Sequence, residues 1–118
     1  MAASRNPYRR LYHIKTELDW MADRLALLSY EEFAADLINV KAAERGLLII
    51  SEAAKALPDA ILSPYPEIEW RAIRALGNVL RHEYEHIVPH RLWTIITVQL
   101  PQLAIVIERL LAEHAPEK

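Results

Sequence analysis

The spacing of apolar residues constrains the fold of this chain more than any other feature. Along most of the sequence, apolar side chains recur at intervals of three and four residues, as they do on one face of an α-helix. No stretch alternates apolar and polar residues for long enough to predict a half-buried strand, and the only glycines are Gly46 and Gly77. The sequence therefore predicts an all-α fold.

The first half of the chain predicts two helices. The first follows Pro7, because proline is well suited to the first turn of a helix. The second begins at Ser29, which forms a capping box with Glu32, and runs to about Leu57. We expect a bend in this second helix near one of two positions, Asn39 or Gly46.

The second half predicts two more helices after a polar connection that cannot stay helical, PDAILSPYP (58–66). The third helix runs from near Glu67 towards Ile87. The fourth runs from about His90 to His114, and Pro101 should kink it. Four helices joined by short connections predict one domain over residues 1–118, an antiparallel up-and-down four-helix bundle.

The fourth helix has more apolar residues than one core-facing stripe needs. Such a helix must be covered on more than one side, so we expect part of it to face a second subunit. The surplus positions are Ile95, Ile96, Val98, Leu100, Ile105, Val106 and Ile107.

Composition excludes several other classes of protein. The net charge of −2 argues against coating nucleic acid through bulk electrostatics. Cysteine is absent, so the chain has neither disulfides nor thiolate metal ligands, and a cytoplasmic location is the simplest expectation. The sequence has no run of 18 uncharged apolar residues, and we expect no membrane partner.

Residues 70–93, on the third predicted helix and just beyond it, concentrate groups that bind anions and transfer protons. Helical spacing places Arg74, Asn78, Arg81, His82 and Glu85 on one side, with His86 one turn beyond His82. Histidine transfers protons near neutral pH, guanidinium groups bind phosphate oxygens, and asparagine can orient a ribose hydroxyl. These groups suit cleavage of RNA by its own 2′-hydroxyl, without a cofactor or a metal ion. The alternative is an exposed polar face with helical ion pairs such as Arg81 with Glu85.

Several separate segments, in order, resemble the HEPN superfamily, and more closely its HepT-like ribonuclease toxins. They are SYEEF (29–33), VKAAER (40–45), IISEAA (49–54), PEIEWRAI (66–73) and LPQL (100–103). That family's motif is Arg-Asn, three residues, His, one residue, Tyr. Asn78, His82 and Tyr84 fill it, but Gly77 occupies the arginine position. A second register, Arg81-His82 with His86, fits the broader HEPN pattern.

The resemblance implies His82 as the catalytic histidine, with either Arg81 or Arg74 supplying the missing positive charge. It also implies an RNA substrate (tRNA or mRNA) and a homodimer that meets through the active-helix side. The partner would be a minimal nucleotidyltransferase antitoxin, which transfers AMP onto Tyr84 and silences the toxin. A bulky anionic adduct two residues from the histidine would block RNA.

Two competing interpretations remain open. The letters HEYEH (82–86) also spell H-E-x-x-H, a zinc protease motif, but an all-helical chain offers no sheet edge for a peptide substrate. Adventitious zinc or nickel binding by His82, His86 and His90 is a weaker form of the same idea. The stronger alternative is a catalytically impaired HEPN dimer that binds the nucleotidyltransferase or RNA without cutting, because Gly77 lacks the guanidinium.

Overall fold

A computed structural model describes residues 6–83 and 88–116 of the chain. All regular secondary structure in these two ranges is helical, which confirms the predicted all-α class. The helices are α1 (Tyr8–Arg24), α2 (Tyr30–Ala35), α3 (Leu37–Lys55), α4 (Asp59–Leu62), α5 (Trp70–His82), α6 (Pro89–Thr94) and α7 (Leu100–Glu113), with a π-helical segment at Ile95–Gln99 between the last two.

The starts of α1 and α2 follow the sequence signals. Pro7 is the N-cap residue of α1, and the buried side chains of that helix recur at helical spacing. At α2 the Glu32 amide donates to Ser29 Oγ at 3.1 Å, while the Ser29 amide donates to Glu32 Oε1 at 2.8 Å. The predicted capping box is therefore present.

The prediction of one long second helix is wrong, because the chain breaks at Asp36. This residue is extended, with φ −106° and ψ 103°, and its carboxylate accepts from the Ile38 amide at 2.9 Å. Aspartate is a strong N-cap, and here it starts α3 anew. Asn39 and Gly46, near which the sequence favours a bend, both lie within α3, and the break at Asp36 comes three residues before Asn39. Gly46 instead permits close approach of α1: a Cβ there would collide with Met21.

Two further helix boundaries differ from the prediction. The proline-rich connection contains a short helix, α4, which starts directly after Pro58, where a proline does not obstruct helical hydrogen bonds. Helix α5 begins at Trp70 rather than near Glu67, and its last residue is His82. The predicted extension to Ile87 falls in residues 84–87, which lie outside the described residues.

Helix α3 is the centre of the packing. It contacts α1 on one side and α5 on another, and α1 also contacts α7. Helices α3 and α5 run in opposite directions, since Ala54 meets Arg74 while Ser51, one turn earlier, meets Gly77 one turn later. The largest fully buried side chains come from α1, α2, α3, α6 and α7 and the turn after α1: Leu11, Ile14, Met21, Leu25, Phe33, Leu47, Ile50, Leu92, Leu103, Ile107 and Leu110.

The last helical segment changes its winding just before Pro101. In the π-helical segment the Leu100 amide bonds to the Ile95 carbonyl, one residue further back than in an α-helix. Proline has no amide hydrogen and crowds the carbonyl four residues back, so a wider turn before it is physically reasonable. The irregularity that Pro101 predicts in this helix is thus the π-helical segment just before it.

The apolar surplus of this segment is smaller than the sequence suggested. Of the seven positions, only Val98 and Ile105 are exposed, at 56% and 59%, and the others are buried. Pro89–Glu113 is nevertheless long and apolar enough to cross a membrane by length and composition alone. That is weak evidence, because a core helix meets the same criterion, and this one contributes Leu103, Ile107 and Leu110 to the core.

Candidate active site at the end of helix α5

Three of the predicted site residues occupy the last turns of α5. Asn78, Arg81 and His82 are all exposed. One arm of the Arg81 guanidinium, Nη2, donates to Asn78 Oδ1 at 2.6 Å. His82 follows Arg81 directly and is the last residue of the helix. The fold therefore presents an amide, a guanidinium and an imidazole together at one helix end.

Arg74, which the sequence placed on the same side, points elsewhere. Its Nε donates to the Ala54 carbonyl at 3.0 Å and its Nη2 to the Leu57 carbonyl at 2.7 Å. Its Nη1 forms an ion pair with Asp59 at 2.7 Å. The guanidinium thus bonds to carbonyls at and just beyond the end of α3, as basic residues at helix ends often do. The prediction that Arg74 shares one side of the helix with Arg81 and His82 is therefore wrong.

Gly77 lies in the tight contact between α5 and α3. Its amide donates to Ser51 Oγ at 2.9 Å, and the Ser51 hydroxyl donates to the Arg74 carbonyl at 3.0 Å. A Cβ at Gly77 would lie 2.9 Å from Ser51 Oγ and 3.2 Å from a Glu52 carboxylate oxygen. An arginine at this position therefore does not fit the observed packing of the two helices.

Glu52 belongs to this site, and the sequence reasoning missed it. Its carboxylate forms an ion pair with Arg81 and a longer one, 3.5 Å, with Lys55. The hydrogen bond from Arg81 lowers the pKa of Glu52 and outweighs the opposite effect of partial burial. Sequence spacing suggested Glu85 as the helical partner of Arg81. Glu85 lies outside the described residues, so that pairing stays a prediction. Glu52 is 29 residues from Arg81 in the chain, so no local pattern could reveal it.

Tyr84, Glu85 and His86 lie outside the described residues. The prediction of AMP transfer to Tyr84 and the catalytic role of His86 therefore stay predictions. His90 is exposed at the start of α6, with its ring 5.3 Å from that of Tyr30. Across residues 6–83 and 88–116, no group of three histidine, aspartate or glutamate side chains is arranged to hold a metal ion.

An open groove of about 570 Å³ runs beside α5. Its floor is apolar, and the segment from α6 to α7 forms the opposite wall. Polar groups line the rim, including His90 and Arg91 on one side and Glu67 and Glu69 on the other. Helix α5 therefore packs on α3 but leaves a second side partly uncovered.

These features define a class of protein: an all-helical domain that exposes a histidine, an amide and a guanidinium at one helix end. The family model described as "Ribonuclease HepT-like" matches residues 14–110. The chain belongs to this HepT-like family, which confirms the resemblance seen in its sequence.

Named relatives agree with this assignment. "Putative RNase TTE0752" of Caldanaerobacter subterraneus is 29% identical over 110 residues, which cover 93% of this chain and 98% of that protein. "Putative RNase MJ0127" of Methanocaldococcus jannaschii is 31% identical over 94 residues, 80% of this chain and 74% of its own length. "Probable ribonuclease HepT" of Thermococcus cleftensis is 31% identical over 83 residues, 70% and 76% of the two chains. No solved structure matches the sequence.

Proposed function

We propose that the chain is a metal-independent endoribonuclease whose active centre is the end of α5. The observation that carries this proposal is the Asn78–Arg81 pair beside the exposed His82. Membership of a family described as ribonuclease-like, and relatives named as ribonucleases, support it. Such a centre needs a base, a cation for the phosphate and a group that orients the ribose, and these residues supply one of each.

The reaction follows from the chemistry of these groups. His82 accepts the proton of a ribose 2′-hydroxyl, and the oxygen attacks the adjacent phosphorus. The bond from phosphorus to the 5′-oxygen of the next nucleotide breaks, and that oxygen takes up a proton from a second acid or from water. Arg81 stabilises the charge that develops on the phosphate oxygens. The products are a 2′,3′-cyclic phosphate and a free 5′-hydroxyl, and DNA is not a substrate because it lacks the 2′-hydroxyl.

The same proposal includes the setting in which the enzyme works. We place it in a toxin–antitoxin pair, as an up-and-down four-helix bundle that dimerises through the α5 side. Its partner is a minimal nucleotidyltransferase that silences it by AMPylation of Tyr84. The short distance in sequence supports this mechanism, since Tyr84 is two residues after His82. An added phosphate would repel RNA from the centre.

An RNA-cleavage assay on the purified chain, freed of any partner, tests the activity. His82→Ala should lower the rate by a factor of about 10² to 10⁴, the usual contribution of a general base. His114→Ala is a matched control, because the bond from Tyr65 to Glu113 places the end of α7 beside the chain that leads into α5. Helix α5 is about 20 Å long, and His82 is at its other end. Intact RNA with the wild-type chain, or equal rates for both variants, contradicts the proposal.

AMPylation has a test of its own. Co-expression with a nucleotidyltransferase encoded beside this gene should add AMP to the chain, which intact-protein mass spectrometry detects. Tyr84→Phe should abolish the mass increase, and Tyr12→Phe, an exposed tyrosine on α1, should not. An unmodified Tyr84 beside an active nucleotidyltransferase removes this part of the proposal.

One observation favours a second candidate, a binding module that does not cut. Gly77 has no guanidinium, and the charge of Arg81 is balanced by Glu52. Such a module would bind RNA or the nucleotidyltransferase, yet release no cyclic phosphate. Binding measured on an RNA that stays intact would establish it.

A further inference from the structure

The Arg81 guanidinium is held from two directions. Its Nη1 meets the Glu52 carboxylate on α3, and its Nη2 donates to the side-chain oxygen of Asn78, 2.6 Å away and one turn earlier on α5. Guanidinium is planar, so two partners on different nitrogens fix its plane as well as its position. The N–H groups that neither partner uses then have a defined direction.

Glu52 is itself fixed by the close packing of α3 on α5. The neighbouring Ser51 hydroxyl bonds to the backbone of α5 at both Gly77 and Arg74. Because Gly77 carries no side chain, α5 lies close enough for Glu52 to reach the turn that contains Arg81. A Cβ on Gly77 would stand 3.2 Å from the Glu52 carboxylate. The glycine thus makes room for the contact between Glu52 and Arg81.

We propose that Glu52 is a positioning residue that holds Arg81 in register with His82, so that Arg81 supplies the guanidinium for which position 77 has no room. This inference rests on the ribonuclease function proposed above. Arg74 is a poorer source of that charge, because the carbonyls of Ala54 and Leu57 and the carboxylate of Asp59 already engage it. Glu52 touches no reacting atom in this scheme and acts only through Arg81.

Glu52 should increase the turnover rate but weaken RNA binding. Its carboxylate orients Arg81, and a misplaced catalytic group can cost a factor of up to about 100 in rate. Its negative charge also repels phosphates, and Lys55 offsets that charge only in part. Removing Glu52 should therefore lower kcat and also lower KM for RNA.

Steady-state cleavage by Glu52→Ala and Glu52→Gln separates the two effects. Glu52→Ala should lose a factor of about 10 to 100 in kcat. Glu52→Gln keeps an oxygen acceptor for Arg81, so its kcat should stay within about threefold of wild type. Both variants should have a lower KM, since both lose the charge. Glu108→Ala is the matched control, because it removes another ion pair between helices, the 2.9 Å pair of Glu108 with Lys15.

A second measurement reads the contact without catalysis. In NMR spectra of arginine side chains, slowed rotation of the Arg81 guanidinium should separate its Nη signals in wild type and Glu52→Gln, and average them in Glu52→Ala. Arg81→Ala assigns the signals. Averaged signals in wild type would show that Glu52 does not hold Arg81, whatever the activity. An unchanged kcat in Glu52→Ala, or a kcat in Glu52→Gln as low as in Glu52→Ala, would also overturn the positioning role of Glu52. Separated signals in a wild-type chain that leaves RNA intact refute the ribonuclease function, and with it the role of Glu52 in the reaction.

Discussion

At the scale of single residues, Gly77 decides what the site can contain. It is buried, and it lies against Ser51 of α3. The family motif has an arginine at this place in the sequence. In this chain the position faces another helix, so a long cationic side chain would have to push α5 away from α3. The close packing of α3 on α5 therefore explains why position 77 holds glycine and not arginine.

Gly77→Ala should destabilise the chain despite its better helix propensity. Alanine gains about 1 kcal/mol in a helix interior, but its Cβ would stand 2.9 Å from Ser51 Oγ. Turning Ser51 away breaks two hydrogen bonds in a buried setting, at a cost of roughly 1–3 kcal/mol. We expect a net loss of about 1 kcal/mol in the free energy of unfolding, measured by urea denaturation.

The partner variant makes this prediction sharper. In a Ser51→Ala background the obstructing oxygen is gone, so Gly77→Ala should be neutral or stabilising there. Gly77→Arg should remain destabilising in both backgrounds, because its longer side chain still has no room. A Gly77→Ala protein more stable than wild type would show that the two helices are not packed as described.

At the scale of helices, the start of α5 is fixed by one contact with the preceding turn and by several contacts that are distant in sequence. The Trp70 indole donates to the Tyr65 carbonyl at 3.0 Å, and the Tyr65 hydroxyl donates to Glu113 on α7 at 2.6 Å. Arg74 joins the first turns of α5 to the end of α3 and to α4. These bonds orient the helix whose far end carries His82.

The contact between Tyr65 and Glu113 should make stability depend on pH in the alkaline range. The hydrogen bond to Glu113, and then burial, raise the pKa of Tyr65 above its ordinary value of 10.0. The folded state therefore holds this proton more tightly than the unfolded chain does. The contribution of this hydrogen bond to stability is complete below about pH 10. It is lost as the pH rises through the raised pKa that Tyr65 has in the folded chain.

Thermal unfolding of wild type and Tyr65→Phe over a pH series checks this. Wild type should have the higher Tm at neutral pH, and the difference should narrow above about pH 10. Glu113→Gln keeps an acceptor without the charge and should retain part of the difference. If the difference in Tm between wild type and Tyr65→Phe stays constant into strongly alkaline solution, the hydrogen bond from Tyr65 to Glu113 is not its source.

Helix ends also show how far sequence alone can go. The start of α1 and the capping box at Ser29 were predictable, because each signal lies within a few residues of the helix it begins. The break at Asp36 was missed because its neighbours continue the helical period, and aspartate caps a helix only when the chain turns there. The contacts of Arg74 and the ion pair of Arg81 with Glu52 join residues 15 to 29 positions apart, and no short pattern encodes them. The helical class and the region of the site were thus visible, but the partners of each arginine were not.

At the scale of the whole molecule, one chain leaves part of its apolar surface open along the first turns of α5, the helix whose far end carries the proposed centre. The groove next to α5 has an apolar floor, and the exposed Ala72 lies on its wall. An uncovered apolar surface of this kind is suited to contact with another protein. Together with the family resemblance, this supports a dimer that joins two copies of α5 across one composite centre.

Ala72→Glu should separate that dimer without unfolding the chain. The side chain is exposed, so a charge there has little effect on a single copy but is costly once a second copy covers it. Light scattering should give about twice the chain mass of 13.6 kDa for wild type and about the chain mass itself for the variant. RNA cleavage should fall with the loss of the dimer, while circular dichroism stays helical. The control variant, Ala22→Glu at an exposed position on α1, should remain dimeric and active. If Ala72→Glu is also dimeric and active, the contact between subunits lies elsewhere.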